Sequence, residues 1–217
     1  MIFFRCLFFL ILILGCGSKG EPPPSKMSKK ESTPQKPLIL FVGDSLTAGF
    51  GVDVKDCFVS LLQKDFEKMK IDLQTRNAGI SGETSSGTLE RIDWLVASKP
   101  KFIFLCIGSN DGLRGISVDL YRNNLEQIIL KIQKANIKLI LAGIKLPINY
   151  GAEYIHDMES VPIDLAEKYS LLNYPYLIEG VAADPKLNQA DFIHPNEKGH
   201  RIIFERLNKF LKMSQLY

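Results

Sequence analysis

The chain has 217 residues, of which 46% are hydrophobic and 24% charged, and its formal net charge at pH 7 is +3. This length supports one well-buried domain. The positive charge does not indicate nucleic-acid binding, because the part of the chain from Leu38 onward has 21 basic and 22 acidic residues and no basic stripe.

The first 15 residues have the composition of an export signal. Arg5 precedes an apolar run, Leu7–Leu14, which is too short to span a bilayer, and small residues follow. The stretch "ILGC", Ile13 to Cys16, resembles the lipobox of bacterial lipoproteins, in which the cysteine becomes the lipidated N-terminus. We therefore predict a signal peptide over residues 1–15 and an exported lipoprotein anchored to a membrane through Cys16, in the periplasm or at the cell surface. Plain signal-peptide cleavage is the alternative.

Residues 16–37 are predicted to form a flexible tether. The segment is rich in Pro, Ser and Lys and has no apolar periodicity, so burial cannot repay the entropy cost of ordering it. As a flexible coil it would hold the domain on the order of 25 Å from the anchor. We assign the folded domain to residues 38–217.

From Leu38 onward, short apolar runs alternate with longer amphipathic segments, a pattern typical of a parallel sheet covered by helices on both faces. The predicted strands are residues 38–42, 72–77, 102–107, 138–144 and, with the least apolar signal, 174–178. The predicted helices are residues 57–70, with Asp56 as N-cap, 88–98, 119–136 and 197–213. The predicted fold is a three-layer α/β/α sandwich with a parallel sheet of about five strands.

Loops of glycine and small polar residues follow the first four predicted strands. They read "GDSLTAG", "AGISGETS", "GSNDGLRG" and "KLPINYG", and a fifth loop, "DFIHP", precedes the last helix. Open parallel sheets bind ligands at the carboxyl ends of their strands. The polar side chains of these loops are therefore predicted to meet on one rim.

Ser45, in the first of these loops, is a candidate nucleophile. A serine that attacks an acyl group needs an imidazole to take its proton and a carboxylate to orient that imidazole. Asp191 and His194 are three residues apart, close enough for the carboxylate to reach Nδ1. The alternative is a helix cap, since Asp44 or Ser45 can satisfy N–H groups of the following turn.

Two residues on the same rim are candidate hydrogen-bond donors for an oxyanion. Asn110 would donate from its side-chain amide and Gly79 from its backbone N–H, where the missing Cβ lets a substrate come close. Their alternatives are ordinary turns. Of the other histidines, His200 is predicted to cap or pack within a helix and His156 to lie in a loop.

The ordered set "GDSLTAG", "NAGISGETS", "GSND" and "DFIHP" resembles the blocks of the SGNH (GDSL) esterases and lipases across residues 38–217. The stretches "NDGLRG" and "KLPINYG" look most like the branch described as thioesterase I, lysophospholipase and arylesterase. The resemblance implies a flavodoxin-like fold that works without metal or organic cofactor. It implies Ser45 as nucleophile and Asp191 and His194 as its partners, with Gly79, Asn110 and the Ser45 N–H as oxyanion hole.

The resemblance also places the acyl group near the loops that carry Ile80, Leu113 and "LPINYG". Pro147, Ile148 and Tyr150 then either line an apolar channel or simply pack over the edge of the sheet. Asn77 is predicted to brace the second loop.

Together these features predict a serine ester hydrolase that forms an acyl-enzyme on lysophospholipids or on short to medium acyl esters. A carbohydrate or cell-envelope O-acetylesterase would share this catalytic set. A non-catalytic surface lipoprotein that binds a ligand is the alternative of a different class. Cys57 and Cys106 are predicted to be reduced thiols, and a disulfide between them in an oxidising compartment is the alternative.

Overall fold

The computed structural model describes residues 36–217. The predicted signal peptide, the predicted lipidation site Cys16 and almost all of the predicted tether lie outside the described residues. The strands are β1 (Leu38–Gly43), β2 (Gln74–Gly79), β3 (Phe102–Cys106), β4 (Lys138–Ala142) and β5 (Leu172–Tyr174). The helices are α1 (Ser45–Ala48), α2 (Phe58–Lys68), α3 (Ser85–Ala97), α4 (Ser109–Leu113), α5 (Val118–Lys134), α6 (Ala152–Lys168) and α7 (Glu197–Met213). Two short 3₁₀ helices cover Val54–Asp56 and Ile148–Tyr150.

The five strands form one parallel sheet in the order β2-β1-β3-β4-β5. This is the flavodoxin-like order, in which the chain reverses its direction across the sheet between β1 and β3. Such a reversal opens a crevice at the carboxyl ends of those two strands. The loops that carry Ser45 and Asn110 leave the sheet there.

Two apolar layers cover the sheet. On one face α3, α5 and α6 contribute buried side chains such as Ile92, Ile128 and Leu165, and on the other α2 and α7 contribute Phe66 and Leu207. All residues of β1 and β3 are buried, because both faces of a central parallel strand are covered. This explains why these strands read as unbroken apolar runs, and it confirms the predicted three-layer fold.

Two strands are displaced from their predicted positions. β2 begins at Gln74, two residues later than predicted, because Leu73 is buried ahead of the strand and the pairing with Leu38 starts at Gln74. β5 ends at Tyr174, where the prediction began, because Pro175 has no N–H to continue the ladder. The apolar signal after Pro175 comes from Leu177, which is buried in a turn.

Helix α6 was not predicted, and His156, predicted in a loop, lies on it. Pro162 lies inside this helix and is buried. A proline in the sequence predicts the end of a helix, but here packing of the helix accommodates it. Asp56, the predicted N-cap of α2, ends the preceding 3₁₀ helix, and Cys57 takes the N-cap position without a side-chain hydrogen bond.

Cys57 and Cys106 are both buried free thiols, as predicted. Within residues 36–217, no helix combines the length and the apolar character needed to cross a membrane.

Candidate active site

Ser45 is the first residue of α1, directly after the tight turn that ends β1. A Cβ on Gly43 would lie 2.3 Å from Thr47 Oγ1 and 2.4 Å from the carbonyl oxygen of Cys106, so only glycine fits at this turn. Asp44 is the N-cap, and its Oδ1 accepts the N–H of Leu46 at 3.0 Å. The capping role therefore belongs to Asp44, and the Ser45 hydroxyl is left for another partner.

That partner is His194. The distance from Ser45 Oγ to His194 Nε2 is 2.9 Å, and the distance from His194 Nδ1 to Asp191 Oδ2 is 2.7 Å. Ser45 and His194 lie 149 positions apart in the sequence, so the fold brings them together. A hydroxyl, an imidazole and a carboxylate are thus joined by two successive hydrogen bonds, which is the geometry that deprotonates a serine for attack.

The Asp191 carboxylate is held by its own loop. Its Oδ1 accepts the N–H groups of Ile193 at 2.9 Å and His194 at 3.0 Å. The hydrogen bond from the His194 N–H is the main cause that lowers the pKa of Asp191 to about 2, and the hydrogen bonds from the His194 ring and the Ile193 N–H act in the same direction. Asp191 is therefore ionised across the physiological pH range and can stabilise a charged imidazole.

Asp44 has the opposite electrostatic environment. Its side chain is only 1% exposed, and desolvation is the main cause that raises its pKa to about 6, against the hydrogen bond from Leu46. Its second oxygen, Oδ2, has no hydrogen-bond partner within the described residues. The Asp44 carboxyl group, at the start of α1, is therefore easier to protonate than that of Asp191.

Two residues join the loop after Ser45 to the loop of His194. The Phe50 ring lies 4.7 Å from the His194 ring, centroid to centroid. Gln189 donates from Nε2 to the carbonyl of Phe50 at 2.7 Å and to that of Pro195 at 3.0 Å, and its backbone N–H donates to the carbonyl of His194 at 2.8 Å. Gln189 was not predicted as a site residue, because a single glutamine in a loop has no distinctive spacing.

Asn110 lies at the start of α4 on the same rim. Its Nδ2 donates to the carbonyl of Glu83 at 3.1 Å. An amide nitrogen carries two hydrogens, so this bond fixes the side chain and leaves one hydrogen for an oxyanion.

Gly79 is placed differently from its predicted role. Its N–H donates to Asn77 Oδ1 at 2.9 Å, so this donor is already engaged. A Cβ on Gly79 would lie 2.3 Å from the backbone nitrogen of Ala48, so the missing side chain lets β2 approach α1 rather than a substrate. Asn77 also donates to the carbonyl of Thr47 at 2.7 Å, in agreement with its predicted bracing role.

Gly82, three residues further on, was missed by the sequence analysis. It has φ +78° in the turn closed by the hydrogen bond from the Glu83 N–H to the Ile80 carbonyl, a conformation that favours glycine. Its N–H finds no acceptor within residues 36–217. The loop runs from Ile80, which donates to the Gly43 carbonyl at 2.9 Å, to Glu83, whose carbonyl holds Asn110. The sequence signal for Gly82 was its place as the second glycine of "AGISG".

Arg91 holds both ends of this loop. Its Nη2 donates to the carbonyl of Ala78 at 2.7 Å, and its guanidinium forms a two-point ion pair with Glu83 at 2.5 Å for each contact. The Glu83 side chain is 5% exposed and that of Arg91 19%. No residue pattern in the sequence connected these two positions.

The predicted channel residues fall into two groups. The Tyr150 hydroxyl donates to the carbonyl of Leu113 at 3.0 Å, which joins the third and fourth loops. Pro147 and Ile148 project into solvent on the fourth loop, and Ile148 is 95% exposed. Ile80 is half-exposed beside Gly79. These side chains lie on the rim, and the structure does not bring them together into a closed channel.

The other histidines take no part in this arrangement. His200 is buried and stacks on the Phe58 ring at 6.1 Å, and desolvation lowers its pKa to about 4. Its predicted packing role is confirmed. Within residues 36–217, no group of three or more His, Cys, Asp or Glu side chains is arranged to hold a metal ion.

A flavodoxin-like sheet whose first strand delivers a serine to an imidazole and a carboxylate defines a serine hydrolase of the acyl-transfer class. The comparisons with known proteins agree. The chain belongs to the GDSL-like Lipase/Acylhydrolase family, which it matches over residues 41–202. Its function is therefore that of a carboxylic ester hydrolase that works through a serine.

Two curated relatives and one solved structure illustrate the similarity. The chain is 39% identical to the esterase TesA of Pseudomonas aeruginosa over 158 residues, which are 72% of this chain and 79% of the relative. It is 32% identical to thioesterase 1/protease 1/lysophospholipase L1 of Escherichia coli K12 over 175 residues, 80% of this chain and 83% of the relative. The esterase EstA of Pseudoalteromonas sp., solved in a form inhibited by monoethylphosphonate, superposes with a TM-score of 0.80 at 32% identity and covers 83% of this chain and 99% of its own.

Proposed function

We propose that Ser45, His194 and Asp191 are the catalytic triad of an esterase that acts on lysophospholipids or on short to medium acyl esters and thioesters. The observation that carries the proposal is the hydrogen-bonded series Ser45 Oγ to His194 Nε2 to Asp191 at 2.9 and 2.7 Å. The family supplies the reaction type, and the named activities of two relatives favour these substrates.

In the proposed mechanism, His194 Nε2 takes the Ser45 proton as Oγ attacks the carbonyl carbon of the ester. The carbonyl π electrons move to the oxygen, and His194 then gives its proton to the departing alcohol or thiol as the acyl bond breaks. Water, deprotonated by the same nitrogen, attacks the Ser45 acyl ester, and His194 returns that proton to Oγ as the acyl–Oγ bond breaks and the acid leaves. Asp191, ionised throughout, stabilises the imidazolium in both halves of the cycle.

We assign the oxyanion donors to the N–H of Ser45, the free amide hydrogen of Asn110 and the N–H of Gly82. Gly82 takes the place first given to Gly79, because the Gly79 N–H is donated to Asn77 whereas the Gly82 N–H has no acceptor within residues 36–217. Loss of one such donor typically costs about a hundred- to thousandfold in rate.

Support for a substrate with an acyl chain beyond acetate comes from exposed apolar side chains beside the triad. Phe50 is 50% exposed and contacts His194, and Ile193 is 49% exposed next to it. Ile80 is 48% exposed beside Gly79. Burial of an acyl chain against these side chains would contribute about 0.8 kcal/mol for each fully buried methylene.

Acyl-chain preference tests this substrate assignment. We expect kcat/KM for p-nitrophenyl esters to rise from acetate toward medium chains, and lysophosphatidylcholine to be hydrolysed, with Ser45→Ala as the blank. Strict preference for acetate would contradict the assignment and favour a carbohydrate or cell-envelope O-acetylesterase.

We further propose that the protein is an exported lipoprotein held at a membrane through lipidated Cys16, with residues 16–37 as its tether. The support is the sequence pattern of residues 1–37 alone. Replacement of Cys16 by Ser should move the protein from the membrane fraction to the soluble fraction of lysed cells. A variant that still sediments with membranes at wild-type levels would contradict the proposal.

A further inference from the structure

The two edges of the sheet differ sharply in charge. At the amino edge, the described loops that lead into the strands meet side by side, since Pro37 accepts the N–H of Gln74 and Leu38 accepts that of Lys101, both at 2.9 Å. Exposed lysines in or beside these loops are Lys36, Lys70, Lys99, Lys101 and Lys138. Asp72 is the one acidic side chain in the loops of this edge, counted over residues 36–37, 69–73, 98–101, 135–137, 169–171 and 214–217.

Helix ends add to this charge. Because the helices run antiparallel to the strands, α2, α5, α6 and α7 end at the amino edge, and each has a lysine in its last turn: Lys68, Lys134, Lys168 and Lys212. Lys168 is paired with Glu126 at 2.6 Å, and Glu67 and Glu167 lie in the same last turns, so the helix ends add less net charge than four lysines alone. Lysines at these four positions are expected from the helix dipole. The five lysines outside the helices are not explained in this way. Together the nine lysines form what we call the basic edge, which is not a stripe in the sequence because its members come from separate loops and helix ends.

The opposite, catalytic edge has no such basic excess. Its loops and the short helices α1 and α4 carry eight acidic and four basic side chains, and of the acidic ones Asp44, Glu83 and Asp111 are buried. The near-neutral domain is therefore polarised from one end of the sheet to the other.

The basic edge also exposes large apolar side chains. Trp94, in the last turn of α3, is 75% exposed, Met213 at the end of α7 is 74% exposed and Met69 just after α2 is 56% exposed. A cleft of about 540 Å³ is lined by Lys99, Asn136 and Asp93, the residue before Trp94, so the end of α3 meets the lysine-bearing loop there. Lysine and exposed tryptophan together are the composition of surfaces that rest on lipid headgroups.

We infer that the basic edge docks on an anionic phospholipid bilayer and that the catalytic edge faces away from it. Charge complementarity favours this orientation, because each lysine near an anionic surface increases partitioning by about fivefold. The position of the chain supports it as well, since the described structure begins at Lys36 on this same edge and the preceding segment is the proposed membrane tether. The inference concerns orientation and does not depend on the proposed substrates.

Trp94 provides the readout, because it is the one tryptophan of the chain. The full chain is reconstituted on vesicles of pure phosphatidylcholine and on vesicles of equal parts phosphatidylcholine and phosphatidylglycerol, and acrylamide quenching of tryptophan emission is measured. On the anionic vesicles we expect a shift of emission to shorter wavelength and a loss of quenching. Neither should occur on phosphatidylcholine, and both should disappear at about 1 M salt, where the Debye length is about 3 Å.

A matched pair of variants separates docking from net charge. Lys99→Glu/Lys101→Glu/Lys138→Glu should restore full quenching on anionic vesicles, whereas Lys55→Glu/Lys186→Glu/Lys198→Glu makes the same charge change at exposed positions of the catalytic edge and should behave as wild type. Turnover of a soluble ester reports that each variant is folded. Equal quenching of wild type on both vesicle types, or equal effects of the two triple variants, would overturn the inference.

Discussion

At the scale of single residues, the site depends on a division of roles among three neighbouring polar side chains. Asp44 caps α1, Ser45 faces His194 and Asn77 braces the adjacent loop. The sequence left the cap and the nucleophile as alternatives at Ser45. The structure separates them because the Asp44 carboxylate reaches the Leu46 N–H first.

Asp191 offers a prediction whose pH dependence has a defined sign. Its folded pKa is about 2, below the ordinary value of 3.8, so its contribution to stability is present above about pH 4 and is lost as the pH falls toward 2. Asp191→Asn should therefore be less stable than wild type at pH 7, and the difference between their urea midpoints should shrink to a small part of its pH 7 value as the pH falls to 2. A difference that persists unchanged at pH 2 would contradict the assigned hydrogen bonds.

The same substitution should also lower kcat by on the order of 10³- to 10⁴-fold, because an asparagine cannot stabilise the imidazolium. Asp184→Asn is the matched control, since Asp184 caps a neighbouring turn through the Lys186 N–H at 2.8 Å and does not contact His194. Its kcat should remain that of wild type. Equal loss of kcat in both variants would place the effect in loop folding rather than in the triad.

At the scale of elements, the contact between β2 and α3 positions the oxyanion loop. Arg91 on α3 holds the carbonyl before Gly79 and the side chain of Glu83, whose own carbonyl holds Asn110. Arg91→Gln should lower kcat by at least about tenfold with little change in KM. An oxyanion donor in place contributes about a hundredfold or more to the rate, and displacement of the loop would lose part of that contribution. It should also cost about 3 kcal/mol of stability by leaving a buried carboxylate unpaired.

Two further variants give this prediction its controls. Glu83→Gln/Arg91→Gln leaves no unpaired charge and should regain stability while kcat stays low. Arg122→Gln removes an arginine from a solvent-exposed pair with Asp164, at 2.7 Å, and should alter neither kcat nor stability appreciably. A wild-type kcat in Arg91→Gln would show that the loop needs no such support.

The sequence predicted the elements whose signal is local, and it missed those that depend on packing. β1 and β3 were predicted closely because strands buried on both faces are apolar throughout, and α7 was predicted to the residue because its apolar face is regular. Helix α6 was missed because Pro162 interrupts its pattern. Gln189 and Arg91 were missed because their hydrogen bonds join segments that no residue spacing connects. Gly82 was missed although the second glycine of "AGISG" marks it, because its role lies in a backbone N–H that has no acceptor within residues 36–217.

At the scale of the whole molecule, the catalytic edge and the basic edge are the two ends of one sheet. If the basic edge rests on the membrane, the triad opens toward the aqueous phase, about one strand length away; six residues of β1 span about 20 Å. Substrates would then arrive from solution rather than from the bilayer that carries the enzyme. This arrangement suits lysophospholipids, which leave bilayers more readily than lipids with two chains.

This orientation predicts a difference between two presentations of one substrate. A vesicle-bound enzyme should hydrolyse a lysophospholipid supplied as monomers in solution faster than the same lysophospholipid embedded in the vesicle that carries the enzyme. Lys99→Glu/Lys101→Glu/Lys138→Glu should reduce this difference, because the domain is then free to turn. Faster hydrolysis of the embedded substrate by wild type would contradict the orientation.

The most direct test of the account is the turnover of p-nitrophenyl butyrate by the purified protein and by Ser45→Ala, measured side by side with their thermal unfolding. We predict ester hydrolysis by wild type and a loss of nearly all of it in Ser45→Ala, with unfolding temperatures that differ little, because the hydroxyl forms its one side-chain hydrogen bond, among the described residues, with His194. Full turnover in a folded Ser45→Ala protein would show that Ser45 is not the nucleophile and would contradict the account at its centre.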